Sequence, residues 1–505
     1  MNTEVDYCAI DIGTDRCRVS VFVDGEPTVV PCDAEHSYIP SLLSYSSNSY
    51  YAGTQAIQQG CKNPLSNVYE VKTYIGTTLR PGSMDFKYSD YSYYIYSDKQ
   101  GNPFYYPKTE NGNRIVTIEE TLVALMSTLR HRIDVFLKGV TIRRVLLTVP
   151  PYFSDSQRSA LTRAASATGF EEVKMISEPL ATYYGFLKVD MVIPEYMMVC
   201  NCGGGQFYSS LLHIVQEVPS VVNTVTNENA NGSVITESIR SMLMKMEEVS
   251  KAVNRDSIKY CQLYNRIEKL KISLSEVLST SLDLSVFGDS DEDDCEITRD
   301  MFSEAIKAVR SGVVQMCKDC IKSYLPNADH LPILLVGGCS HIPAIRQAIQ
   351  TSFATSLFPV VDCADTVTVI GACSQAPKLL SVRKISLSSL TSTMVLDRSR
   401  TGGAPHPSIT QSSPLTLSSS SQRVQKQPIP TVTIDARQKA FMTLQTHISS
   451  YLTFLQRYKG VESSVDWLKK AKSAVDATTY EQWTVANLEK YDNQIAQWFQ
   501  SVKPK

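Results

Sequence analysis

The 505-residue chain has no apolar run approaching the ~18 residues that a membrane-spanning helix requires, so no membrane partner is expected. It also lacks a charge bias. A formal net charge of −2, with 20% charged and 43% hydrophobic residues, leaves no polybasic footprint for direct nucleic-acid binding. The start, MNTEVDYCAIDIG, has no basic leader or cleavage site and runs directly into a strand pattern, so a cytoplasmic location is expected. A disulfide framework is missing too. The thirteen cysteines are odd in number and scattered through apolar runs, where cysteine acts as a small hydrophobe. Cys317-Lys-Asp-Cys320 has the spacing of half a metal or redox site. No second such pair exists, and the surrounding helical pattern favours packing.

What is present is an alternation of strands, glycine turns and helices in a chain too long for one core. Tyr7 to Val23 alternates apolar and polar residues, breaks at Asp11-Ile12-Gly13-Thr14 and ends at the turn pair Asp24-Gly25. Met197 to Val215 repeats that design around Asn201-Cys202-Gly203-Gly204-Gly205, which predicts two similar lobes. Arg144 to Pro150 reads as a buried-strand pattern, and Ser154-Asp155-Ser156-Gln157-Arg158 as a helix start. Residues 233–276 are helical by periodicity. The strand Pro332 to Val336 ends in a third glycine turn, Gly337-Gly338. Such turns bring backbone N–H groups close to phosphates because no Cβ intervenes.

Near residue 380 the composition shifts to Ser, Thr and Pro, which cannot bury enough apolar surface to offset ordering entropy. We therefore divide the chain into a globular unit (1–380), a linker (381–435) and a helical unit (436–505). The last begins with the stripe Phe441, Leu444, Ile448, Tyr451, Leu455, Tyr458, stopping at Gly460. A second helix carries Val465 and Leu468. A third opens at Thr478-x-x-Glu481 and turns Val485, Leu488, Tyr491, Ile495 and Trp498 inward.

Six ordered motifs carry a family resemblance: Asp11-x-Gly-Thr; Glu70-Val-Lys72-x-x-Ile-Gly76; Thr148-Val-Pro150-x-Tyr-Phe-x-Asp-Ser-Gln-Arg158; Ser177-Glu178-Pro179; Gly203-Gly-Gly-x-Phe207; and Val336-Gly-Gly-x-x-x-Ile-Pro343. The chain resembles the seventy-kilodalton heat-shock (DnaK-like) chaperone family. The resemblance implies an α/β, two-lobed actin-like ATPase fold, built of duplicated ribonuclease-H-like lobes that close on ATP or ADP with Mg2+. It makes Asp11 the metal-side carboxylate and Gly13, Thr14 and Asp15 the first phosphate turn. Lys72 resembles the lysine holding the attacking water, and Glu178 the carboxylate beside the metal waters. Glu268, Lys271 and Ser275, on one helical face, resemble the adenosine-binding helix. Gly337, Gly338 and Cys339 match the adenine-side turn, and Asp365 the acid near the nucleoside. Taken alone, Lys72 would be an ordinary surface lysine and Glu268/Lys271 an ordinary helix ion pair.

Departures from the family pattern matter as much. Its second phosphate turn has acids where this chain has Asn201 and Tyr208, and a hydroxyl where it has Gln206. Asp15 replaces a threonine, which adds negative charge near the phosphates. Ile272 and His341 replace the ring-stacking arginines. The 55 residues of 381–435 cannot hold the family's peptide-binding β-sandwich, and Met394-Val-Leu-Asp397 is a faint echo of its acidic linker. Trp467-Leu-Lys-Lys, Thr479-Tyr-Glu481 and Leu488-Glu resemble its helical lid.

The expected protein is an ATP-binding chaperone or co-chaperone, poor at hydrolysis and with weakened Mg2+ binding. It would serve protein folding and stress response as a scaffold or nucleotide-exchange-type partner of another heat-shock-family chaperone, with ribosome-associated members as one precedent. A slow ATP-hydrolysing chaperone using Lys72, Asp11, Asp15 and Glu178 is the alternative. An actin-like or sugar-kinase-like protein shares the fold, but the Glu268/Lys271/Ser275 face argues against it.

Overall fold

The computed structural model of the chain describes residues 3–33, 36–85, 95–138, 140–187, 193–253, 257–288, 294–325, 330–361, 364–380, 384–386, 436–455, 462–477 and 482–502. Strands β1 (Tyr7–Ile12), β2 (Arg16–Val23) and β3 (Glu26–Val29) form an antiparallel meander. Asp24 and Gly25 both take positive φ at its second turn, the hairpin geometry that matches strand twist. Helix α1 (Thr54–Lys62), the single turn α2 (Val71–Tyr74) and the long α3 (Ile118–Phe136) follow. Strand β4 (Arg144–Val149) then pairs in parallel with β1. Its crossover to the parallel β5 (Glu172–Ser177) is α4 (Asp155–Ala167), started by a reciprocal capping box between Ser154 and Gln157.

The second lobe repeats this plan. Helix α5 (Glu178–Phe186) leads into the meander β6 (Tyr196–Cys202), β7 (Phe207–Val215) and β8 (Val218–Asn227). Helices α6 (Gly232–Leu243), α7 (Ser257–Glu276) and α8 (Lys307–Ile321) precede β9 (Ile333–Val336), which lies parallel to β6 as β4 lies parallel to β1. The strand orders are β5-β4-β1-β2-β3 and β8-β7-β6-β9, and a parallel bridge from Pro332 to Leu357 stands beyond β9 where the first lobe has β5. Each lobe buries its own core, with Ile10, Val19, Leu125 and Val145 in the first and Met198, Leu211, Ile267 and Leu335 in the second. This is the two-lobed α/β architecture that the sequence predicts.

Helix α9 (Val367–Leu379) returns to the first lobe and crosses α5 between the two sheets. The crossing needs glycine on both sides. A Cβ at Gly371 would stand 1.9 Å from the Ala181 carbonyl oxygen, and one at Gly185 would stand 2.1 Å from that of Val367. Thr182 and Thr368 hydroxyls meet beside it at 2.9 Å.

Helices α10 (Ala436–Leu455), α11 (Glu462–Asp476) and α12 (Val485–Val502) share a core of Phe441, Leu444, Ile448, Leu468, Leu488 and Ile495. They also dock on the first lobe. Met442 packs with Tyr96 and Phe104, and the Gln438 amide donates to the Ser97 carbonyl at 2.9 Å. Of the segment 381–435, only Lys384–Ser386 is among the described residues, and it pairs antiparallel with Thr3–Val5. The Met394–Asp397 echo, the Tyr458–Gly460 stop and the Thr478/Glu481 cap lie outside them.

Among the described residues, no helix is long and apolar enough to cross a membrane. Cys317 and Cys320 are buried on α8. The Cys317 thiol lies 3.6 Å from that of Cys200 and 3.1 Å from the Ser209 hydroxyl. The pair packs as small hydrophobes.

Candidate functional site

A cleft of about 660 Å³ separates the lobes, within the range of small-molecule sites. The first turn (Gly13, Thr14, Asp15), the second (Gly203 to Gly205) and the third (Gly337, Gly338, Cys339) all line it. So do the α7 face (Glu268, Lys271, Ser275) and Asp11, Lys72, Glu178, Asn201 and Asp365. A groove of about 750 Å³ beside α6, lined by Val234, Met242 and Met301, gathers none of them.

The duplicated meanders place the turns. Asp11 is the penultimate residue of β1 and Asn201 of β6, each beside a parallel strand: Asp11 pairs with Thr148 and Asn201 with Val336. The first turn is held from below by Ser41, whose N–H donates to the Asp15 carbonyl at 2.7 Å and whose hydroxyl donates to that of Gly13 at 2.6 Å. The second turn is held by the start of α6. There the Gly232 and Ser233 N–H groups, which lack intrahelical partners, donate to the Gly203 and Gly204 carbonyls. The two turns touch, and a Cβ on Gly205 would stand 2.4 Å from Thr14 Oγ1. Only a glycine permits that approach.

Glu178, the first residue of α5 and 4% exposed, is the hub of the cleft floor. Its Oε1 accepts from Lys72 Nζ at 2.7 Å. Its Oε2 accepts from the Tyr208 hydroxyl at 2.8 Å and from Asn201 Nδ2 at 3.4 Å. Asn201 and Tyr208 are cross-strand partners on β6 and β7, so their side chains share a face, and Nδ2 also reaches the Tyr208 oxygen at 3.0 Å. Burial alone would pull the Lys72 ammonium down, but the Glu178 and Asp11 carboxylates hold it above its ordinary value. Burial and then the Glu178 charge push the Tyr208 phenol up, so it stays a donor. Nearby, Thr148 Oγ1 donates to Asp11 Oδ1 at 2.6 Å.

On the opposite wall, Lys271 Nζ donates to Glu268 Oε1 at 2.8 Å and to Thr236 Oγ1 on α6 at 2.9 Å. Lys271 is buried. Desolvation opposes its charge, and Glu268 restores it. Ser275 donates back to the Lys271 carbonyl at 2.7 Å. Ile272, 53% exposed, and His341 both line the cleft. Asp15 faces Arg16 at 3.2 Å, which offsets the extra charge foreseen there, and the Arg16 guanidinium lies over the Tyr38 ring at 4.4 Å.

A sequence profile of the Hsp70 protein family matches residues 7–441, from the first strand into α10. This protein belongs to the Hsp70 family. Its chain is similar to the chaperone protein dnaK of Cyanidium caldarium, 28% identical over 380 residues that cover 73% of this chain and 60% of the relative. It is 24% identical over 372 residues to the chaperone protein HscA homolog of Aliivibrio salmonicida, covering 74% and 58%. It is 26% identical over 389 residues to the heat shock 70 kDa protein 14 of Bos taurus, covering 75% of each. This Hsp70-family chain spans about three-fifths of the length of the dnaK and HscA relatives.

Several contacts at the Hsp70-family cleft escaped the sequence reading. Asp365 is placed at the cleft, but its carboxylate accepts from the buried Arg18 at 2.6 Å. Ser233 donates to the buried Glu70 at 2.7 Å, linking α6 in one lobe to the start of α2 in the other. Thr236 completes the Lys271 site. No local motif signals these contacts, since each joins segments more than 30 residues apart. Tyr208 was legible as a lost acid, though not as a donor to Glu178.

Proposed function

We propose that this chain holds ATP or ADP in the interlobe cleft, hydrolyses ATP poorly, and serves protein folding as a scaffold or nucleotide-exchange-type partner of another heat-shock-family chaperone. The observation that carries this is the closed hydrogen-bond set on Glu178, with Lys72 on one oxygen and Tyr208 and Asn201 on the other. A carboxylate so engaged has little capacity left for the water shell of a cation. Asn201 adds no charge and takes no proton, and losing a positioned general base typically costs about 100 to 10,000-fold in rate.

The site still fits an anionic nucleotide. Its glycine turns expose backbone, Lys72 and Lys271 supply fixed positive charge, and the cleft has the volume of a small-molecule site. Magnesium fits less well. Asp11 has one oxygen engaged by Thr148, Glu178 has both engaged, and the third position is an amide. Mg2+ would supply charge neutralisation of the phosphates, and here Asp11 is the residue left to hold its waters.

On this reading 1–380 is the nucleotide-binding unit, 381–435 a linker and 436–505 a lid-like helical unit, acting in the cytoplasm and in stress response. The partner is a second chaperone or co-chaperone, with a ribosome-associated setting as one option. A slow ATPase is the second reading, favoured by the retained Lys72, Asp11 and Glu178 geometry. The test adds the purified chain to a true Hsp70 ATPase loaded with a fluorescent ADP analogue. Faster release supports the exchange-type role, while unchanged release together with single-turnover hydrolysis by this chain supports the second reading.

A further inference from the structure

Cys61 and Cys261 meet where the two lobes touch, beside the cleft. Cys61 lies in the last turn of α1, in the first lobe, and Cys261 in the second turn of α7, in the second lobe. Their sulfurs are 3.9 Å apart. Cys261 also approaches the Gly60 carbonyl at 3.5 Å, and Asn265, one turn further along α7, donates its Nδ2 to Cys61 Sγ at 3.1 Å. Among the described residues the other cysteines are buried, whereas these two are only half-buried. The two accessible thiols are therefore in contact with each other, and they belong to different lobes.

We propose that Cys61 and Cys261 are a peroxide-oxidisable pair whose disulfide fastens the two lobes together beside the nucleotide cleft. The pairing rests on lobe geometry alone and not on what the cleft holds. A disulfide needs about 2.05 Å between sulfurs, so they must close by nearly 2 Å, a movement that side-chain rotation at two helix surfaces can supply.

The electrostatics give the two thiols different tasks. The Cys261 thiol and then the Asn265 amide, both donating to Cys61 sulfur, pull Cys61 down to about 7 against the effect of burial. Cys261 is held well above its ordinary value by that same hydrogen bond and by burial. Cys61 is thus the thiolate nucleophile and Cys261 the resolving thiol. The Cys61 thiolate attacks hydrogen peroxide: an S–O bond forms, the O–O bond breaks, and hydroxide leaves to take a proton. Cys261 then attacks the sulfenic sulfur. The S–S bond forms, the S–O bond breaks, and the departing hydroxide takes the Cys261 proton as water. Two thiols and one peroxide give one disulfide and two waters, with two electrons passing from sulfur to oxygen.

The consequence is conformational. Glu268 and Lys271 lie further along the same helix as Cys261, so a bond to α1 fixes the nucleoside-side wall against the first lobe. Lobe opening that needs α1 and α7 to part would stop until the bond is reduced.

The experiment treats the full chain with hydrogen peroxide, blocks free thiols and maps peptides by mass spectrometry without reductant. The expected result is a peptide pair joining Cys61 to Cys261, lighter by two hydrogens and reversed by dithiothreitol. It should be absent from Cys61→Ser and from Cys261→Ser, each checked for native circular dichroism. Hydrogen exchange of wild-type α1 and α7 should slow on oxidation. Cys61 accumulating as sulfinic acid with Cys261 still reduced, or a cross-link formed only between other cysteines, would overturn the proposal.

Discussion

The Tyr208 hydroxyl donates to Glu178 Oε2 at 2.8 Å, an internal bond between a strand of the second lobe and the helix joining the lobes. It arises from register. Tyr208 lies directly across from Asn201, so the two side chains that replace acids point at the same carboxylate. The cleft floor thereby contains a carboxylate whose demands are met by the protein itself.

Tyr208→Phe keeps the ring and its edge-on contact with Tyr152 but removes the donor. A hydrogen bond to a buried charge contributes about 1.5–3 kcal/mol. We expect the denaturant midpoint to fall by a corresponding amount. Combining it with Glu178→Gln should not recover the loss, because Lys72 is then buried without its carboxylate.

Lys72→Ala should be costlier. It leaves Glu178 buried without its cation, and breaking a buried pair typically costs about 3–5 kcal/mol. The check is the unfolding free energy of the single variant against Lys72→Ala/Glu178→Gln. The double variant should be the more stable of the two. A single variant as stable as wild type would mean that the pair is solvated and that Glu178 is free to serve elsewhere.

The helical unit should respond to pH. His447 Nδ1 meets the Asp492 carboxylate at 2.8 Å, and that hydrogen bond holds the imidazole above its ordinary value. A raised folded-state pKa stabilises fully below the unfolded value, near 6.5, and the gain is lost as pH rises through the folded value. The stability of α10 to α12, followed by tryptophan fluorescence, should fall as the pH rises above about 6.5. With His447 43% exposed on its side chain, screening keeps the effect below about 1 kcal/mol. His447→Gln should flatten the profile.

Much of the fold was legible because its signals are local. The hairpin turn at Asp24-Gly25, the helix start at Ser154 and the stripe from Phe441 to Leu455 are each set by residues close together in sequence. The ordered motifs picked out Lys72, Glu178 and Asn201 as candidates, which line one cleft, without showing what they touch. Cross-lobe contacts were not readable. Arg18 meets Asp365, Ser233 meets Glu70 and Cys61 meets Cys261 only because the duplicated lobes fold against each other. The docking of α10 on the first lobe through Gln438 and Met442 was likewise invisible, since neither residue departs from an ordinary helix pattern.

The central claim is that the cleft holds nucleotide without the metal-centred chemistry of hydrolysis. The direct test is calorimetric ATP binding with magnesium and with a chelator, alongside single-turnover hydrolysis, for wild type and for Asn201→Asp/Tyr208→Asp. The account predicts that wild type binds ATP with affinities differing by less than about tenfold, or about 1.4 kcal/mol, between the two conditions. It predicts no measurable turnover for wild type and a clear magnesium dependence for the double variant. Wild-type binding that magnesium tightens well beyond tenfold, with hydrolysis in a single turnover, would contradict it.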